Sequence, residues 1–332
     1  MYCAHRGSEW TAIQHRYDDK GYVVRKRPLT DWLVYLLVRV VVCLAQSVRI
    51  ETCHAMSRML AVLANDILRV RRRVVEDNLA AVFPELSAAE RIDLARRMWE
   101  HLWLMGCEIF HAPRKIHRTN YHRYVRFERR KEITRCLLDP RPALLVSGHF
   151  GNFEMGGFIT GLMGFPTFTV ARPLDNPLLD RYINRFRSAN GQYILSNRGS
   201  SNQIDQVLAN GETLSLLGDQ HAGPKGCWVD FFGRPASCHK AIALFTLTSG
   251  APLMLGYCRR DGRPLQFEQS VVGIVDPRDA GEEAGGVKPL TQWYNRALEK
   301  AVRVAPDQYW WLHRRWKGVP PTRKSRSNKV AA

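Results

Sequence analysis

From residue 143 onward the chain alternates apolar runs of strand length with helical segments, and this alternation constrains the fold more than any other feature. Strands are predicted at 143–147, 167–171, 192–196, 213–217, 229–232 and 252–257, with helices near 153–162, 177–189, 201–209 and 240–249. Such a pattern argues an α/β sandwich around one mixed sheet. Side chains just beyond the carboxyl ends of parallel strands face a common crevice, and the first amides of the following helix point into it. The polar residues at those strand ends are therefore the first candidates for chemistry.

The first strand, "ALLVS", empties into "GHFGNFE". Gly148 and Gly151 bracket His149 and let the backbone approach a ligand closely. An imidazole can take a proton from an alcohol near neutral pH. A carboxylate at its other nitrogen fixes the tautomer and steadies the imidazolium that forms. His149 and Glu154 are thus predicted as a general base and its orienter. The amides of Gly148, Gly151 and Asn152 are the predicted oxyanion donors. A plainer reading stays open from the spacing alone, in which the histidine is satisfied by a backbone carbonyl and the glutamate caps a helix.

Three more polar clusters follow predicted strands. Arg172, Asn176, Arg181, Arg185 and Arg187 come after the second, and arginine's planar fork suits a phosphate or carboxylate. Asp219, Gln220, His221 and Lys225 come after the fourth, while Arg234 and Lys240 open onto a helix start. Of these, Arg172, Asn176, Arg185, Asp219, Gln220 and Arg234 are the predicted substrate-binding residues.

The amino-terminal part is of another kind. Residues 32–48, "WLVYLLVRVVVCLAQSV", form an apolar run broken by Arg39. An arginine at a bilayer centre costs about 2.5–3.5 kcal/mol, and the run is at the short end of spanning length. Arg25, Lys26 and Arg27 precede it, while Arg49 and the basic residues of 69–73 follow, so a span would carry one basic cluster outward. A surface-lying or half-inserted anchor is favoured over a true span, and a buried core helix is the alternative. Further on, Met56, Leu60, Leu63 and Ile67 recur at helical spacing. "SAAE" at 87–90 is a capping box opening a helix through Met98, Leu102 and Ile109, on which Trp99 and Trp103 are expected to be core residues, with membrane-interface anchors as the alternative.

The expected organisation is a polar, disordered extension (1–28), an apolar anchor helix (29–53), a helical region packing on the core (54–142), an α/β catalytic core (143–318) and a disordered basic tail (319–332). The 332 residues carry 49 Lys and Arg against 31 Asp and Glu, a net charge of +18 that calls for a polyanionic partner. The eight cysteines lie scattered without C-x-x-C pairs or zinc-finger spacing and read as free thiols of a reducing compartment. No secretory signal is read at the start, so the soluble body is expected to face the cytosol.

"SGHFGNFE", "ARPLDNP", "GDQ", "VDFFGRPA", "SGAPL" and "YWWLHRRWK", in this order, resemble the bacterial lipid A biosynthesis acyltransferase family, and behind it the H-x-x-x-x-D/E glycerolipid acyltransferases. The similarity runs from about residue 32 to 317 and includes "RRRVVEDNLAAVFPE" at 71–85. Phe153 stands where many members have tryptophan, and the extension before Leu29 is longer than expected. The resemblance implies transfer of a fatty acyl chain from an acyl-carrier-protein or coenzyme A thioester to a hydroxyl of a phosphorylated lipid A precursor or related lipid. It implies work at the cytoplasmic face of the bacterial inner membrane, beside anionic lipids, with no cofactor, no metal and no nucleic-acid partner. Arg172 would serve as a phosphate clamp or help the oxyanion, and no covalent enzyme intermediate is needed.

Two other classes stand beside this one. A metal-dependent hydrolase would use His149, Glu154, Asp219 and His221, though the first pair does not match H-E-x-x-H spacing. A nucleic-acid-binding protein would use the charge directly, yet no RNP, KH or helix-turn-helix signature interleaves with the basic residues.

Overall fold

The computed structural model describes residues 28–321 apart from 198, 200 and 280. The expected extension before Pro28, with its basic flank at 25–27, and the tail from 322 fall outside the described residues, as does Cys3.

Helix α1 (Pro28–Ser47) is followed by α2 (Ile50–Val62), which runs on into a π-helical turn, then by α3 (Arg72–Val82) and the long α4 (Ala88–Lys115). The anchor helix expected at 29–53 therefore ends at Ser47, and Arg49 in extended backbone starts a second helix. Ser87 and Glu90 form the capping box that opens α4, as the sequence predicts. Along α4, Trp99 is buried but Trp103 is 42% exposed, so only one of the two indoles is a core residue.

A single residue of α1, Val42, is buried, and Leu33, Leu37 and Leu44 are exposed. The helix is nonetheless tied to the body along its length. Asp31 O accepts from Asn176 Nδ2 at 2.9 Å, Gln46 Nε2 donates to Phe110 O at 2.6 Å, and His111 Nε2 meets Ala45 O at 2.9 Å. Between these points the Arg39 guanidinium lies 4.9 Å from the Tyr182 ring centre, a cation–π contact. The arginine that interrupts the apolar run thus faces a protein partner.

After α4 come β1 (Val125–Phe127) and α5 (Arg130–Leu137), then the alternating part: β2 (Ala143–Ser147), α6 (Phe153–Leu162), β3 (Thr167–Ala171), α7 (Pro177–Ser188), β4 (Gln192–Ser196), α8 (Ser201–Ala209), β5 (Thr213–Leu217), β6 (Cys227–Phe231), β7 (Arg234–Cys238), α9 (Ala241–Ser249), β8 (Leu253–Arg260), β9 (Phe267–Val275) and α10 (Val287–Val304). The main sheet has the order β1-β9-β8-β2-β5-β3-β4, parallel throughout except between β8 and β9. This is the mixed α/β sheet that the alternation predicts. Strand β1 joins it from before residue 143, so the sheet extends beyond the segment expected to form the core.

β6 and β7 make a separate antiparallel hairpin. Pro235 hides β7 from a sequence reading; a two-stranded ribbon tolerates a residue that cannot donate to a ladder. β2 lies in the middle of the main sheet between β5 and β8, with Leu144 and Val146 fully buried, as are Leu214 and Leu253 on its neighbours. Helix α10 buries Leu290, Tyr294, Leu298 and Val302, one face at helical spacing.

Candidate active site

Strands β2 and β5 are parallel and paired in register from Ala143 with Thr213 to Ser147 with Leu217, and Gly218 N continues the ladder to Ser147 O at 2.8 Å. Two residues past the last pair, the chains present His149 and Asp219 side by side. Asp219 Oδ1 lies 2.7 Å from His149 Nδ1, and its Oδ2 accepts from the His149 backbone amide at 2.8 Å. Any side chain at Gly148 would crowd this contact, since a Cβ there would stand 3.1 Å from Asp219 Oδ2 and 2.8 Å from Leu298.

Asp219 is fully buried. Burial alone would push its carboxyl up, but the His149 imidazole and the two hydrogen bonds from that residue hold it down at about 2. It is therefore an ionised acceptor near neutral pH. Nδ1 must carry the hydrogen, which leaves Nε2 as the basic nitrogen of neutral His149.

Glu154 is elsewhere. It sits in the first turn of α6, and its carboxylate is paired with the Arg187 guanidinium of α7, through Nε at 3.0 Å and through Nη2. The expectation that Glu154 orients His149 is corrected accordingly: His149 precedes the helix, so the two side chains share no helical face, and the ring's partner comes from the neighbouring strand. Arg187, predicted only as an anion-binding candidate, is taken up by this pair.

The loop amides need a similar correction. Gly151 N donates to Gln308 O at 2.8 Å and Asn152 N to Cys258 O at 2.7 Å, so both are consumed in holding the loop and are not free oxyanion donors. Gly151 has φ of +62°, and a Cβ there would come within 2.2 Å of Cys258 O, so close approach of β8 requires glycine. The Asn152 side chain caps α6 by accepting from Met155 N at 3.2 Å and donates to Glu108 Oε2 at 3.0 Å.

Glu108 anchors a buried network beneath the loop. Arg260 donates to both its oxygens, at 2.7 and 2.8 Å, and approaches His101 Nδ1 at 3.1 Å. Arginine only donates, so Nδ1 accepts and the opposite Nε2 donates to Gly151 O at 3.2 Å. Burial and the nearby Arg260 charge push His101 well below its ordinary value of 6.5 and keep it neutral. Nothing local in the sequence marks this set, because its members come from α4, the loop after β2 and β8.

The segment 308–313 runs beside the loop. Trp310 N donates to His149 O at 3.0 Å, and Phe150 bridges Tyr309. Around the His149 ring stand Phe153 at 5.2 Å, Trp310 at 5.1 Å and His313 at 4.7 Å between ring centres. Trp310 Nε1 and His313 Nε2 are buried without a hydrogen-bond partner among the described residues. Each such atom costs about 1–3 kcal/mol when left unpaired. Both residues lie in "YWWLHRRWK", whose density of aromatic and basic side chains is the signal the sequence offers.

The other predicted residues separate into two groups. Arg172 follows β3 at the same sheet edge as His149, is exposed, and pairs with Asp175 at 2.9 Å. Gln220, Arg185 and Arg234 are exposed, the last stacking its guanidinium over Trp316 at 5.1 Å. Asn176 is corrected from a substrate ligand to a structural residue: its Oδ1 caps α7, accepting from Leu178 and Leu179 amides, and its Nδ2 holds α1. The hydrolase constellation does not assemble either, since Glu154 faces Arg187. Among the described residues, no three His, Cys, Asp or Glu side chains cluster as metal ligands would.

Residues 21–318 match the family model described as bacterial lipid A biosynthesis acyltransferase. The chain belongs to this family. It is an acyltransferase of the lipid A biosynthesis type. It is 27% identical over 297 residues to the lipid A biosynthesis lauroyltransferase of Escherichia coli (strain K12), covering 87% of this chain and 92% of that one. It is 26% identical over 268 residues to the palmitoleoyltransferase of the same organism, covering 78% and 82%. A phosphatidylinositol mannoside acyltransferase of Mycobacterium tuberculosis (strain H37Rv) is 25% identical over 179 residues, 52% of this chain and 54% of that one.

Proposed function

We propose that this acyltransferase moves a fatty acyl chain from a carrier thioester to a hydroxyl of a lipid A precursor or related glycolipid, with His149 as general base and Asp219 as the group that orients it. The observation that carries the reading is the 2.7 Å contact between Asp219 and His149 Nδ1, which leaves Nε2 to act on an alcohol. The acceptor hydroxyl gives its proton to Nε2 as its oxygen attacks the thioester carbonyl carbon. The resulting imidazolium is stabilised by Asp219. As the tetrahedral intermediate collapses, the C–O bond stays, the C–S bond breaks, and the proton passes from Nε2 to the departing thiolate.

Glu154 acts at one remove in this reading. Its pair with Arg187 locks α6 to α7 and so sets the helix that begins at the catalytic loop. Arg172, at the same sheet edge, is the residue proposed to meet an acceptor phosphate, and Arg185, Gln220 and Arg234 remain accessible to anionic substrates. An acidic acyl carrier protein suits the +18 charge as donor partner, with coenzyme A thioesters as the other source.

The protein is proposed to lie on the cytoplasmic face of the inner membrane through α1. That helix is long and apolar enough to cross a membrane by length and composition. Its ties to Phe110, Asn176 and Tyr182 favour a helix lying against the body with its leucine face in the lipid. The test of the function is in vitro transfer: purified protein, detergent-dispersed lipid A precursor and either lauroyl acyl carrier protein or lauroyl coenzyme A, with products weighed by mass spectrometry. A lipid product heavier by one acyl group supports the reading, and its absence with both donors refutes it.

A further inference from the structure

We propose that Trp310 and His313 supply the two N–H donors that stabilise the oxyanion of the acyl-transfer intermediate. The inference rests on the acyl-transfer reading above. With Gly151 and Asn152 amides committed to Gln308 and Cys258, two of the three expected loop donors are spent. A thioester carbonyl attacked by an alcohol whose proton goes to His149 must lie against that ring, and its oxygen gains negative charge there. Donors aimed at that position are worth most where water is excluded.

The walls of the His149 ring supply such donors. Trp310 and His313 stack on each other, 5.7 Å apart at 24°, and both pack on His149. Each buries a ring nitrogen that no group among the described residues satisfies. Unpaired buried donors at a catalytic base call for a ligand atom that accepts. Indole can only donate, which settles the sense of one contact, and neutral His313 offers a second donor in the tautomer that carries its hydrogen on Nε2. Burial first, and the adjacent His149 imidazole second, lower His313 below its ordinary value, which disfavours its taking the proton that His149 takes.

Both donors are fixed by the same segment that holds the catalytic loop. Trp310 N donates to His149 O, and Asn78 Nδ2 donates to His313 O at 2.8 Å. The "YWWLHRRWK" segment therefore couples donor placement to the position of the base.

The experiment compares lauroyl acyl carrier protein with its dithioester analogue, whose carbonyl oxygen is replaced by sulfur, a poor hydrogen-bond acceptor. Wild type, Trp310→Phe, His313→Ala and His313→Gln are assayed with both donors, and folding is checked by melting and near-ultraviolet circular dichroism. Trp310→Phe and His313→Ala should each lower kcat by roughly a hundredfold or more with the oxygen donor. Their ratio of oxygen to sulfur rates should shrink, because an enzyme without the N–H donor gains nothing from the better acceptor. His313→Gln, which retains an N–H, should recover part of the rate. Folded variants with wild-type rates, or with reduced rates but the wild-type ratio, would overturn the donor assignment while leaving acyl transfer in place. A wild type that transfers no acyl group at all would instead sink the functional reading and this inference with it.

Discussion

Asp219 holds His149 twice, at Nδ1 and at the backbone amide, so one carboxylate sets both the tautomer of the ring and the position of the loop that carries it. Asp219→Asn preserves the shape but can offer its amide nitrogen to the ring, which favours the wrong tautomer, and it removes the charge that supports the imidazolium. The expected outcome is a fall in kcat of roughly 10³–10⁴-fold with little change in acceptor KM. Steady-state kinetics on folded variant protein check it; a KM effect alone would assign Asp219 to binding.

Glu154 and Arg187 are side chains only 16% and 20% exposed, so each is costly to leave alone. Glu154→Gln strands the guanidinium and should destabilise the protein by about 1–3 kcal/mol, discounted from a fully buried pair for the exposure that remains. Glu154→Gln with Arg187→Met should recover part of that loss. Denaturant unfolding of the two single variants and the double variant measures the coupling. Additive losses would show that the pair is not a structural unit.

Stability should respond to acid through His101. Its folded state refuses a proton that the unfolded chain accepts below about 6.5, so stability is full above that pH and falls as pH drops toward the lower folded value. Melting temperature followed from pH 7.5 to 5 should decline, and His101→Gln, which can still donate to Gly151 O, should flatten the decline. An unchanged slope in the variant would remove His101 as its source.

Membrane binding should depend on the exposed face of α1. Leu33, Leu37 and Leu44 are 53%, 63% and 63% exposed and make no core, so replacing all three by Asp should leave the fold intact. It should weaken sedimentation with anionic phospholipid vesicles by roughly tenfold or more. Wild-type binding by the triple variant would shift the contact surface away from α1.

Much of the architecture is readable locally. β2, β3, β4 and β5, with α6 and α8, fall on the predicted spans residue for residue, because buried parallel strands are short apolar runs punctuated by glycine and asparagine. β1, β7 and β9 are not predicted: β1 is three residues long, and β7 carries a proline. His149 and the sheet edge on which it lies are legible for the same reason as the strands. Its partner is not, because His149 and Asp219 are joined by strand register across 70 residues, and five-residue spacing says nothing about which strand lies next door. Glu108, His101 and Arg260 are hidden on the same ground. The amides of Gly151 and Asn152 look available in the sequence because only the folded chain brings Gln308 and Cys258 to them.

His149→Ala protein, shown to be folded by circular dichroism and melting, should transfer lauroyl groups to a lipid A precursor with kcat lowered by roughly 10²–10⁴-fold, the contribution of a positioned general base. Turnover of folded His149→Ala protein close to that of wild type would contradict the general-base role of His149.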